Sequence, residues 1–243
     1  MNLLSVINIS HHFGNKQLFN DASLDIEKGK LTGLLGPNGS GKTTFFDMLC
    51  GLLPPQHGTV SNSATTQLYL SQTLSTPTSL RMDEIFKLLS ALSCTAPPSN
   101  ADINAKLAEW PSQIGERYRE TSKRKPAVCS YGEIRCFFTL SLLLLPCELI
   151  ILDEPTAGVD PEFRYYIWQC LRQAADQGVT VLVSSHYIEE IANHCDIFHS
   201  IIDTTFATFN CSKDYLKQFG ASTLDEAFIK SLSHSRLASS STP

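Results

Sequence analysis

The chain has 243 residues, enough for one large domain or two small ones, and its 42% apolar and 18% charged residues are an ordinary globular balance. A formal charge of −5 argues against nucleic acid as a main partner, because phosphate contacts need a basic face. Eight cysteines with no CxxC pair suggest neither a zinc site nor a dithiol redox centre; with no signal-peptide pattern, they point to a reducing cytosol.

The first ~30 residues alternate apolar and polar side chains ("LLSVINI", "LFNDASLDI"), which predicts antiparallel strands. "LTGLLG" reads as a short buried strand entering a glycine-rich turn, and "KTTFFDMLCGLL" as a helix stopped by Gly51 and Pro54. Weak strands are expected at "GTVSN" and "QLYLSQ". From about Pro77 to Val128 the spacing turns helical, in "SLRMDEIFKLLSALS" and "INAKLAEWPSQIGERYRE", with "CTAPPSN" as the loop between them. The apolar run "CFFTLSLLLLPCELIIL" is shorter than the ~20 residues of a membrane span. Pro146 and Glu148 divide it into a buried helix and a buried strand. Strand, helix, strand, helix and two short strands follow, and this alternation predicts a mostly parallel α/β sheet. The final "SHSRLASSSTP" is small and polar and is expected to be a disordered tail.

The chemistry begins at Gly36-Pro37-Asn38-Gly39-Ser40-Gly41-Lys42-Thr43, a GxxxxGK[ST] turn between a strand and a helix, followed by Thr44. Glycines let backbone N–H groups converge on an anion, and the helix start adds partial positive charge. Lys42 then reaches the outer phosphates of a nucleotide, and the Thr43 hydroxyl is placed for Mg²⁺. Downstream, "LIILDEP" is a strand buried on both faces, with Asp153 and Glu154 emerging at its carboxyl end, where ligands sit in open α/β sheets. Asp153 is the expected Mg²⁺ partner, directly or through water, and Glu154 the group that polarises a water aimed at the γ-phosphate.

With these residues the chain resembles the ATP-binding-cassette (ABC) ATPases over nearly its whole length. Gln72 in "YLSQ" stands at the family's Q-loop glutamine, and "CSYGE", Cys129 to Glu133, stands at its LSGGQ signature. "AGVD", Ala157 to Asp160, resembles the D-loop; His186 in "VSSH" stands at the switch histidine, and Phe13 at the aromatic that stacks on adenine. Taken singly these markers are weak, but their shared order and spacing carry the resemblance. An unrelated P-loop kinase or GTPase would leave "CSYGE", Gln72 and His186 unexplained.

The resemblance implies an α/β P-loop NTPase fold: a mostly parallel core sheet, an N-terminal antiparallel β subdomain and an inserted helical subdomain. The expected layout is a single domain over 1–233, with 1–76 and 129–210 as nucleotide-binding core. Residues 77–128 form the helical subdomain, 211–233 the C-terminal helices and 234–243 the tail. It also implies an ATPase subunit that powers a membrane transporter from the inner face of the cell membrane, through integral-membrane permease chains. The less favoured readings are a soluble non-transport ABC ATPase and a weakly hydrolysing regulatory cassette. Two copies, or a paired cassette, would sandwich ATP between the P-loop of one and Ser130 and Gly132 of the other. His186 would help orient water beside Glu154, and Gln72 would sense the nucleotide and its Mg²⁺. Tyr131 replaces a family glycine and is expected to reduce the ATPase rate. "STLDEAFIKSL" resembles the closing helix of exporter cassettes.

Overall fold

The computed structural model describes residues 1–93 and 96–239, with side chains through Leu232. Within the expected loop at 94–100, residues 94 and 95 therefore lie outside the described residues.

Strands β1 (Asn2–Phe13) and β2 (Lys16–Glu27) form an antiparallel hairpin, and β4 (His57–Asn62) pairs with the other edge of β1. The alternation seen in sequence is the burial pattern: Leu4, Val6 and Ile9 point inward from β1, and Leu24 and Ile26 from β2. A second sheet has the order β5-β6-β7-β3-β8-β9. Its members are β5 (Gln67–Leu70), β6 (Leu149–Asp153), β7 (Thr180–Ser185), β3 (Leu31–Leu35), β8 (Ile197–Ile202) and β9 (Thr205–Phe209). All run parallel except β9, which returns antiparallel to β8. A backbone bond from Asn20 N to Thr204 O (3.0 Å) joins β2 to the turn between β8 and β9, so the two sheets are stitched together.

The strands β3, β6 and β7 are apolar on both faces because each face meets its own apolar cluster. On one face Leu34, Ile151 and Leu182 join Phe19, Phe45 and Phe46, under the antiparallel sheet and helix α1 (Lys42–Leu49). On the other, Leu35, Leu152 and Val183 pack with helices α5 (Tyr131–Leu144) and α6 (Pro161–Asp176). This second cluster extends into the helical insert, formed by α2 (Met82–Ser93), α3 (Asn100–Glu109) and α4 (Ser112–Ser122). The Tyr118 and Phe137 rings, stacked 4.7 Å apart, dock α4 on α5. Helices α7 (Ile188–His194), α8 (Ser212–Phe219) and α9 (Leu224–Ser239) complete the chain.

The expected tail is corrected in part. Helix α9 continues to Ser239, because Arg236, Leu237 and Ala238 are good helix formers and propagation from an existing helix needs no new nucleus. Residues 240–243 lie outside the described residues. Among the described residues, no helix is long and apolar enough to cross a membrane.

Candidate functional site

The loops after β3, β5, β6 and β7 converge at the carboxyl ends of neighbouring parallel strands, and they carry most of the residues singled out in sequence. The glycine turn leaves β3 at Leu35 and enters α1 at Lys42. Gly41 sits at φ +104°, left-handed backbone that a side chain would strain, and a Cβ there would press on the Phe19 ring at 3.0 Å. No side chain caps the start of α1, which leaves its first N–H groups open to an anion. The Ser40 hydroxyl is also buried with no hydrogen-bond partner. These open donors fit a bound phosphate. Lys42 is 6% exposed; its Nζ donates to Gly36 O (2.8 Å) and Pro37 O (3.3 Å) and lies 3.6 Å from Glu154 Oε1. Burial pushes its ammonium below the ordinary value, while Glu154 and Asp153 pull it back up.

Asp153, at the end of β6, is buried between two hydroxyls. Thr43 Oγ1 donates to Asp153 Oδ2 (2.5 Å), and Ser184 Oγ, opposite Asp153 on β7, donates to Asp153 Oδ1. A hydroxyl and a carboxylate side by side are hard oxygen donors of the kind Mg²⁺ takes. Glu154 then turns away from the strand with φ +53°, a left-handed conformation unusual for a residue with a side chain. Both ends of the residue are held: its N–H donates to Ser184 Oγ (3.0 Å) and its carbonyl accepts from Arg135 Nε (3.0 Å). Its carboxylate oxygen Oε1 lies 3.1 Å from His186 Nδ1. The strained backbone thus aims one carboxylate at both Lys42 and His186.

Phe13, at the end of β1, is 58% exposed and steadied edge-on by the buried His11 ring, 5.2 Å away. Three residues on, Lys16 Nζ donates to Gly39 O (2.7 Å), tying the hairpin tip to the glycine turn. Phe13, Lys16, the turn, Gln72, Asp153 and Glu154 line one cavity of about 370 Å³, a size suited to a small-molecule ligand.

Ser130 and Gly132 are elsewhere. Ser130 caps α5, its hydroxyl accepting from Glu133 N (3.2 Å) while the Glu133 carboxylate accepts from Ser130 N (2.7 Å). A Cβ on Gly132 would collide with the Gly158 carbonyl, so this glycine is required for α5 to approach the 157–160 turn. Both residues line a separate cavity of about 210 Å³ beside α4 and Gly158. The Tyr131 ring lies on Gly158, and its hydroxyl reaches Gln72 O at 3.4 Å.

Sequence reasoning missed Ser184, Lys16 and Arg135. Ser184 was within reach, being the strand residue two before His186. Lys16 carried a faint signal, a cation after an aromatic in a hairpin. Arg135 gave none, since a lone Arg in an apolar helix resembles a surface residue.

The family model described as "ABC transporter" matches residues 19–157, more than half of the chain. Protein McbF of Escherichia coli is 28% identical over 235 residues, covering 94% of this chain and 94% of McbF. Nod factor export ATP-binding protein I of Sinorhizobium fredii is 30% identical over 199 residues, covering 79% of this chain and 58% of that protein. A solved ATP-binding subunit of an ABC transporter superposes with a TM-score of 0.79 at 23% identity, over 95% of this chain and 99% of that one. With the glycine turn, the paired acids and this likeness along almost its full length, the chain belongs to the ABC transporter family, as one of its ATP-binding, ATP-hydrolysing subunits.

Proposed function

We propose that two cassettes close head to tail around ATP and that this closure drives an exporter. One observation carries the reading: the glycine turn and the Ser130–Gly132 segment line different cavities of one chain, which favours a nucleotide held between two chains. The partner is a second copy or a paired cassette.

Phe13 stacks on the adenine. Backbone N–H groups of Gly36, Asn38, Gly39, Ser40, Gly41, Lys42, Thr43 and Thr44 cradle the phosphates, Pro37 shaping the turn without a donor of its own, and Lys42 leaves its two carbonyls to meet the outer ones. Thr43, Asp153 and, from its loop, Gln72 hold Mg²⁺. When bound, that ion supplies charge neutralisation to the β- and γ-phosphates. Glu154 accepts a proton from the attacking water, and His186, against the same carboxylate, keeps it oriented. Ser130 and Gly132 of the second chain cap the γ-phosphate, so loss of that phosphate releases the pair.

Family membership and the export-named relative support integral-membrane permease chains as partners, and a place at the inner face of the cell membrane. The net charge of −5 supports no role for nucleic acid.

Glu154→Gln tests the reading. A general base contributes about 10²–10⁴ in rate, so turnover is expected to fall at least 100-fold with ATP binding intact. The variant is expected to elute as a dimer with Mg-ATP and as a monomer without it. Unchanged turnover removes Glu154 from its role, and a monomer in ATP removes the sandwich.

A further inference from the structure

Arg135 is a guanidinium with no exposed surface, in the second turn of α5. Burying a charge is costly unless it is hydrogen-bonded, and an aliphatic side chain would fill the same space without that penalty. What the charge gains is a set of backbone carbonyls from two loops of the site. Nη1 donates to Ser71 O (2.6 Å) and Gln72 O (3.2 Å), and Nε donates to Glu154 O (3.0 Å). One turn further along, Thr139 Oγ1 donates to Pro155 O (3.4 Å). The Gln72 carbonyl also accepts from Tyr131, in the first turn of the same helix. Helix α5 therefore grips the loop after β5 and the loop after β6 at once, and it begins at Ser130. One donor is still open: Nη2 is buried with no partner, so a shift of either loop has a donor waiting for it.

We propose that Arg135 is a positioning residue that makes the Gln72 loop, the strained Glu154 backbone and the Ser130 end of α5 move as one unit, so that nucleotide in one site is felt at the other half-site. The planar fork of arginine suits this task, because it serves several acceptors in fixed directions. Glu154 holds its left-handed φ with its carbonyl pinned by Arg135 and its N–H pinned by Ser184. Without the guanidinium the residue is free to relax toward ordinary backbone, and the carboxylate swings off the reacting water. The hydrogen bonds of Arg135 go to the carbonyls of Ser71, Gln72 and Glu154 and not to Phe13, Lys42 or the glycine turn, so capture of nucleotide is left alone. The inference rests on the roles proposed above for Glu154, Gln72 and Ser130.

Arg135→Lys and Arg135→Gln test it, because lysine keeps the charge but has a single point donor. Both variants are expected to bind ADP and ATP within about twofold of wild type and to lose at least tenfold in kcat, the lysine form losing less. Hydrogen exchange gives the second readout. In the wild type, ADP is expected to alter exchange of the amides at 71–72 and at 130–135 together, and in Arg135→Gln the response at 130–135 is expected to vanish. Wild-type turnover in both folded variants overturns the proposal. So does an equal loss of affinity and kcat, which a merely loosened core would give. Should neither variant fold, the wild-type exchange experiment decides alone, and a response confined to the glycine turn overturns the coupling. A Glu154→Gln enzyme with normal turnover would instead indict the assignment of the base, whatever Arg135 does.

Discussion

Tyr131→Gly separates two effects of one side chain. The residue is 51% exposed, so about half of it is covered, in part by its seat on Gly158. An aromatic side chain buries roughly 150–250 Å², and half of that, at ~25 cal/mol per Å², corresponds to about 2.5 kcal/mol. Glycine in the first turn of α5 adds under ~1 kcal/mol, for a total near 3 kcal/mol. With an unfolding entropy of ~2.1 cal/mol/K per residue, the melting temperature of the 243-residue chain should fall by about 6 °C. Turnover should move the other way. Tyr131 stands between Ser130 and Gly132 in sequence, in the segment proposed to cap the second chain's nucleotide, and relief of crowding there is worth upward of ~1 kcal/mol, or about fivefold in rate. The assay pairs a thermal melt with steady-state ATP hydrolysis at saturating Mg-ATP. A variant that melts lower and also turns over more slowly than wild type refutes the crowding argument and leaves Tyr131 to its seat on Gly158 and its bond to Gln72 O.

Phe13→Ala should weaken ATP binding by about 1–3 kcal/mol, the usual range for loss of a base-stacking ring, whereas Phe13→Trp should hold it; isothermal titration reads both. Ser184→Ala removes one of the two hydroxyls on Asp153 and the acceptor for Glu154 N–H, so the Mg²⁺ concentration giving half-maximal hydrolysis should rise several-fold. Asp196 accepts two bonds from Arg172 (2.7 and 2.9 Å) and one from Leu31 N (2.9 Å). The Arg172 bonds, with the Leu31 N–H behind them, hold its carboxyl below the ordinary carboxylate range. Its contribution is therefore complete above the unfolded value near 4 and is lost as pH falls through the lower folded value. Asp196→Asn should start from lower stability at pH 7 and lose less of it on acidification, which urea melts at pH 7 and pH 3 will show.

The parts of the site that were legible in sequence are those encoded by contiguous residues. The glycine turn, "LIILDEP" and "VSSH" each state a strand, its end and the groups emerging there, and the parallel sheet brings three such ends together. What could not be read is what depends on neighbours distant in sequence. Ser184 meets Asp153 only because β7 lies beside β6, and Lys16 meets Gly39 only because the hairpin folds over the turn. Arg135 meets carbonyls 19 and 64 residues away, and nothing in the string "EIRCFF" announces them. Glu154 shows the same limit in backbone form. Its left-handed φ is imposed by contacts at both ends of the residue, whereas its local sequence, D-E-P, carries no glycine to suggest it. The end of α9 shows the converse error, composition suggesting a tail where an existing helix simply ran on.

The central sheet keeps two apolar reservoirs apart, and this has a genetic consequence. Lesions around Phe19, Phe45 and Phe46 should loosen the platform beneath the proposed adenine and phosphate grips and yield proteins that fail to retain nucleotide. Lesions around Trp110, Tyr118 and Phe137 leave that platform alone and should yield proteins that load normally yet stay idle. A random screen scored on both traits would sort its mutants by which side of one β-layer they struck.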